Sequence, residues 1–273
     1  METVKNSPDE NFSDYTGLFD GIDFGPDGLS ETPPVSHVVS SVADNRRILN
    51  LILVIDVSGS MQGQRIGAVN YALENIIKEL KKQDDINSVI KLSILKFGGD
   101  AEWATPQPMP IDSFVFTKIE ATPSLTNYGK AYHALCEKLS KSAYMNPSFG
   151  EYFAPVIMFI TDGEPTDLND YPDELLHLKK NGWFNQSARY AIAVGKEARS
   201  EKVISLLQSF TNDRNNVRYA DEGAALCQLI QFVAIRASQV QTSMISRGED
   251  PGVQPSIFSE KDSSLFGSMF DEK

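Results

Sequence analysis

Leu51-Ile52-Leu53-Val54-Ile55-Asp56-Val57-Ser58-Gly59-Ser60 sets five aliphatic residues in a row, then a carboxylate and two hydroxyls on alternate positions. An uninterrupted aliphatic run of this length reads as a central parallel strand covered on both faces. In open α/β sheets, ligands bind in the crevice beyond the carboxyl ends of the strands. Asp56, Ser58 and Ser60 stand at such an end. They are hard oxygen donors, which suit Mg²⁺ or Mn²⁺.

Working outward, a second aliphatic strand, Val156 to Thr161, runs into Asp162-Gly163. Between the two strands lies Leu125-Thr126-Asn127-Tyr128-Gly129-Lys130-Ala131, a loop leading into a helix. Taken singly, each piece has an ordinary reading. Ser-Gly-Ser after a strand makes a turn and helix cap, Asp162-Gly163 makes a turn, and Thr126 caps a helix beginning at Asn127. Glu164, Thr166 and Asp167 read as a solvated loop beside the site. Gly59, Gly129 and Gly163 are expected to allow close backbone approach or positive φ.

In this order, Asp-x-Ser-x-Ser, Thr-x-x-Gly-x-Ala and Thr-Asp-Gly resemble the metal-ion-dependent adhesion site of von Willebrand factor A domains. The resemblance covers about residues 48–240. It implies that Ser58 and Ser60 donate hydroxyl oxygens directly to the metal and that Thr126 supplies a third. Asp56 and Asp162 then act largely through waters, or one of them directly. The fold it implies is α/β: a Rossmann-like, doubly wound, mainly parallel sheet with helices on both faces.

Hydrophobic periodicity along the chain points to the same architecture. Strands are predicted at Ile48–Asp56, Val89–Phe97, Phe114–Ile119, Val156–Thr161, Tyr190–Val194 and Val217–Tyr219. Helices are predicted at Gln64–Lys82, Asn127–Ser140, Val203–Phe210 and Ala224–Gln241, and Leu175–Asn181 reads as the end of a further short helix. Alternating strands and helices build a mainly parallel sheet. The folded domain is expected over 46–246. Residues 1–45 and 247–273, rich in acidic and polar residues, read as disordered or loosely docked segments.

The chain of 273 residues carries a net charge of −12, concentrated at its ends. Residues 1–45 hold nine acids and one lysine, and 247–273 hold six acids and three bases. The remaining core has 22 acids against 21 bases. Sequence-independent nucleic-acid binding needs a basic surface, so nucleic acid is not expected as a partner. No apolar stretch is long enough to span a membrane, and Met1-Glu2-Thr3-Val4-Lys5 lacks a signal-peptide core. Cys136 and Cys227 fall in helical patterns and read as small buried hydrophobes. A reducing cytoplasm is the expected location.

Thr161-Asp162-Gly163-Glu164-Pro165-Thr166-Asp167 looks like the bacterial cytoplasmic branch associated with tellurite resistance. That resemblance implies a metal-dependent interaction module in a stress-response or phosphorylation-linked system. Its partner would offer an Asp or Glu carboxylate to the metal, with kinase- or phosphatase-like proteins among the candidates. Two alternatives stand beside it. One is a scaffold with a purely structural metal site. The other is a magnesium-dependent phosphatase-like hydrolase resembling the haloacid-dehalogenase-like enzymes. Those carry Asp-x-Asp at the first strand end, whereas Ser58 occupies the second position here. Gly-x-Ser-x-Gly and Gly-x-x-x-x-Gly-Lys are absent around the site. His37, His133 and His177 show no metal or triad spacing. The chain is expected not to be an enzyme.

Overall fold

Side chains alternate across the first strand, β1 (Arg47–Asp56). Leu49, Leu51, Leu53 and Ile55 enter one core, and Ile52 and Val54 enter a second on the opposite face. The computed structural model describes residues 46–82, 88–220 and 224–246, all within the second of the chain's two units, Asp44–Lys273. The expectations for 1–45 and 247–273 fall outside the described residues.

After β1 the elements run α1 (Gln64–Lys82), β2 (Ser88–Phe97), β3 (Ala101–Trp103), β4 (Met109–Pro110), α2 (Tyr128–Lys138), β5 (Val156–Thr161) and α3 (Tyr171–Leu178). Then come α4 (Gly182–Gln186), β6 (Ala188–Val194), α5 (Glu201–Thr211), β7 (Val217–Ala220) and α6 (Ala224–Ser246). The strand order is β3-β2-β1-β5-β6-β7, with β4 also paired to β2. The pairs β1–β2, β1–β5, β5–β6 and β6–β7 are parallel, while β3 and β4 lie antiparallel to β2. Helices α1 and α6 cover one face, and α2, α3, α4 and α5 cover the other. This is the expected doubly wound architecture.

The chain leaves β1 toward β2 and later returns to β1's other side as β5. The strand order therefore reverses between β1 and β5. A crevice opens at the carboxyl ends of strands at such a switch point. Asp56 closes β1 and Asp162 follows β5, so both carboxylates sit beside that crevice.

Several sequence expectations need correction. Phe114–Ile119 is not a strand. Phe114 and Ile119 are buried, but the backbone there bonds to side chains. The Ile119 amide donates to Asn70 Oδ1 at 2.8 Å, and Asn70 Nδ2 donates to the Ile119 carbonyl at 2.8 Å. Lys81 Nζ donates to the Phe114 carbonyl at 3.1 Å. β2 is instead paired on that side by β3 and β4, which are too short to show a period. The short helix expected to end over Leu175–Asn181 is α3, which stops at Leu178, and a separate short helix, α4, follows. Thr126 does not cap α2. Asn127 does, its Oδ1 accepting the Lys130 amide at 3.0 Å.

Cys227 is buried and Cys136 partly so, both as free thiols. Among the described residues, no helix is long and apolar enough to cross a membrane.

Candidate functional site

Even-numbered residues of β1 face α2, so the alternation that buries Ile52 and Val54 delivers Asp56 to the crevice fully buried. Its two oxygens are each held. Oδ1 accepts the Ser58 amide at 2.8 Å and Oδ2 accepts the Thr161 hydroxyl at 2.7 Å. Burial pushes the Asp56 carboxyl up to about 6. The Ser58 and Thr161 hydrogen bonds oppose that rise, and the Asp162 charge adds slightly to it.

A short 3₁₀ turn, Gly59–Met61, follows β1. It brings Ser58 Oγ and Ser60 Oγ to 3.1 Å. Ser60 Oγ donates in turn to Asp162 Oδ1 at 2.9 Å. Ser58 and Asp162 are buried, whereas Ser60 faces solvent. Four of the five expected donors thus form one linked cluster: Asp56, Ser58, Ser60 and Asp162.

Thr126 comes from the loop before α2 and is nearly buried. Its backbone is pinned to the β5–α3 loop, because its carbonyl accepts the Thr166 amide at 2.8 Å and the Thr166 hydroxyl at 3.0 Å. The Asn127 amide donates to the Gly98 carbonyl at 2.8 Å, and the Gly59 amide to the Ser124 carbonyl at 3.2 Å. These bonds hold the loop carrying Thr126 beside the loop carrying Ser58 and Ser60.

Three residues of the site were not read from the sequence in these roles. Asp167 is no solvated loop residue. Its Oδ2 accepts the Gly129 amide at 2.7 Å and its Oδ1 the Tyr128 amide at 3.0 Å. Tyr128, fully buried, donates its hydroxyl to the Gly163 carbonyl at 2.8 Å. Arg65, in the first turn of α1, bonds Asp162 Oδ2 at 2.7 Å. Each contact joins residues far apart in sequence, so no local pattern carries it. The one available signal for Arg65 was a cation placed just beyond the Asp-x-Ser-x-Ser stretch.

Of the three glycines expected to make room, only Gly129 does so sharply. A Cβ there would sit 2.8 Å from Asp167 Oδ2, while at Gly163 it would meet nothing within 4 Å.

Among the described residues, no three His, Cys, Asp or Glu side chains form a metal-holding group. Any cation here must rely on hydroxyls beside two carboxylates. That donor set suits a hard ion, which takes oxygen ligands and keeps several waters. His133 lies away from the cluster, exposed, with Nδ1 3.2 Å from Glu174 Oε2.

Residues 50–231 match the model of the von Willebrand factor type A domain family. Mouse inter-alpha-trypsin inhibitor heavy chain H3 is 26% identical over 147 residues, covering 54% of this chain and 16% of that protein. Human inter-alpha-trypsin inhibitor heavy chain H6 is 27% identical over 186 residues, covering 65% of this chain and 14% of that protein. The chain therefore matches only a small part of the length of these relatives. Among solved structures, the SpaC pilus adhesin of Lactobacillus rhamnosus GG has a TM-score of 0.57 at 13% identity, covering 72% of this chain and 31% of that one. Proximal thread matrix protein 1 of the mussel byssus has a TM-score of 0.50 at 18% identity, covering 71% and 48%. At these identities the likeness is one of fold.

Proposed function

The chain belongs to the von Willebrand factor type A domain family, and from that premise we propose that it is a non-enzymatic, divalent-metal-dependent protein-interaction module. Asp56, Ser58, Ser60, Thr126 and Asp162 hold Mg²⁺ or Mn²⁺, and a partner's Asp or Glu carboxylate binds through the metal.

The observation that carries this reading is the oxygen chain Ser58 Oγ, Ser60 Oγ and Asp162 Oδ1, spaced 3.1 and 2.9 Å. Adjacent donors around an octahedral Mg²⁺ with bonds of about 2.1 Å stand about 3 Å apart. The buried Asp56 carboxylate supports it too, because burial alone disfavours its charge and a cation beside it would restore it. Bound there, the ion supplies a Lewis-acidic position open to one more anionic oxygen. This chain's two carboxylates balance the ion's charge, while its three hydroxyls are neutral donors. The ion is left electron-poor enough to take a partner's carboxylate.

A setting in a bacterial stress-response or phosphorylation-linked system rests on Thr161–Asp167 alone. Two residues of that stretch have structural duties here: Glu164 pairs with Lys202 and Asp167 caps α2. The curated relatives named above are mammalian.

Calorimetric titration of Mn²⁺ tests the site. Wild type should bind with modest affinity and Asp56→Ala should not, with the fold retained by circular dichroism. Equal binding by both would overturn the assignment. A partner captured from native lysate should be lost with EDTA and weakened by Thr126→Ala. A generic phosphate ester should not be turned over.

A further inference from the structure

Arg65 reaches from α1 into the crevice between three loops. Nη1 donates to Asp162 Oδ2 at 2.7 Å and to the Ser60 carbonyl at 3.4 Å, and Nη2 donates to Glu197 Oε2 at 2.8 Å. The Arg65 side chain is 16% exposed and that of Asp162 is 2% exposed, so this ion pair is largely withdrawn from water. Glu197, at 72%, lies at the rim. The slot is shaped for the guanidinium. A Cβ at Gly195 would stand 2.7 Å from Nη2, and Gly195 has φ +84°, a backbone conformation that L side chains rarely adopt.

Both oxygens of Asp162 are thereby occupied, Oδ1 by the Ser60 hydroxyl and Oδ2 by Arg65. A buried carboxylate needs a cation or several donors. Arg65 supplies the cation from within the chain. A divalent ion held by Ser58, Ser60 and Asp162 would have this fixed positive charge pressed on one of its own ligands. Two cations cannot share one carboxylate at close range without repulsion. Glu197 offers the guanidinium a second carboxylate within its present reach.

We propose that Arg65 is the resident counter-cation of Asp162, that it gives up Asp162 and keeps Glu197 when the metal loads, and that it thereby sets the metal affinity of the site. This inference rests on the metal reading of the previous section. It predicts that Asp162 is already paired without metal, and that loading is an exchange of one cation for another.

The experiment uses the full chain. Mn²⁺ affinity is measured by calorimetry for wild type, Arg65→Ala, Arg65→Lys and Asp56→Ala. In parallel, urea unfolding in EDTA is measured for Arg65→Ala, Asp162→Asn and the double variant. Arg65→Ala should bind Mn²⁺ at least tenfold more tightly. Arg65→Lys, which keeps the charge and loses the fork, should gain less. In EDTA the two single substitutions should be non-additive by at least fivefold in the unfolding constant. Unchanged or weaker Mn²⁺ binding by Arg65→Ala, with Asp56→Ala inactive, overturns the displacement and leaves the metal site standing. Equal binding by wild type and Asp56→Ala, or none by wild type and Arg65→Ala, overturns the metal reading and the displacement together. Additivity in EDTA overturns the counter-cation itself, whatever the metal does. Should Arg65→Ala fail to fold, Arg65→Gln replaces it in both measurements.

Discussion

Asp167 seats its carboxylate on the first turn of α2, with Oδ2 2.7 Å from the Gly129 amide. A negative group at a helix N-terminus satisfies free amides and the helix dipole together. The pair also has no spare room, since a Cβ at position 129 would stand 2.8 Å from that same oxygen. Gly129→Ala must push the cap away, and Asp167→Ala removes it. Each should cost about 1–2 kcal/mol. The double variant should lose little more than either single, because both break one contact. Urea unfolding checks this. Since Thr166 pins Thr126, both variants should also weaken Mn²⁺ binding several-fold. Fully additive stability losses would mean that the two residues act independently.

Asp56 makes the metal-free protein sensitive to pH. Burial pushes its carboxyl from an ordinary 3.8 to about 6. Below pH 3.8 both folded and unfolded chains hold the proton, so burial carries no ionisation cost. As pH rises toward about 6, the unfolded chain releases the proton before the folded one does, and stability falls. Above that the loss is constant, at about 3 kcal/mol by linkage. Asp56→Asn cannot ionise and keeps a carbonyl oxygen for the Ser58 amide. In EDTA its stability relative to wild type should therefore climb between pH 4 and pH 7 by about 2–3 kcal/mol. A difference that stays flat over this range would show that Asp56 ionises freely in the fold.

Asn70 interrupts the apolar face of α1 for a structural reason. It accepts the Ile119 amide, donates to the Ile119 carbonyl, and lies 6% exposed. Asn70→Ala strands both backbone groups in a closed environment, at about 2–4 kcal/mol for the pair. Asn70→Leu should do no better, because added apolar area does not satisfy them. Denaturation gives the cost, and amide exchange at Ile119 should speed in step with it. Exchange as slow as in wild type would show that another group satisfies that amide.

The same contact explains where reading the sequence succeeded and where it failed. The β1 run, the α1 stripe and the β5 run are long, regular and buried, so their period reports their structure. Asp56, Ser58, Ser60 and Asp162 were legible because each follows directly from the end of a strand. Phe114 and Phe116 alternate with Val115 and Thr117 as a strand does, but a strand is defined by its partner, and here the backbone of the segment bonds to side chains of a helix. β3 and β4, at three and two residues, are too short for any period. Arg65 and Asp167 act 97 and 38 residues away from their carboxylate and amide partners. Only the fold brings such pairs together.

Tyr128 ties the packed face of the sheet to the loop that carries Asp162. Its ring stands edge-on to Phe97 and Phe159, with centroids 5.8 and 5.0 Å away. Its hydroxyl donates to the carbonyl of Gly163, the residue after Asp162. Tyr128→Phe keeps the ring and removes the one donor, so it should cost about 1–2 kcal/mol. Tyr128→Ala also empties the aromatic site and should cost about 3–5 kcal/mol. The two variants separate packing from positioning. Tyr128→Phe should speed amide exchange around Gly163 and weaken Mn²⁺ binding a few-fold, while exchange in β1 stays slow. Wild-type exchange at Gly163 in Tyr128→Phe would show that the turn holds Asp162 in place without the hydroxyl, leaving Tyr128 a packing residue alone.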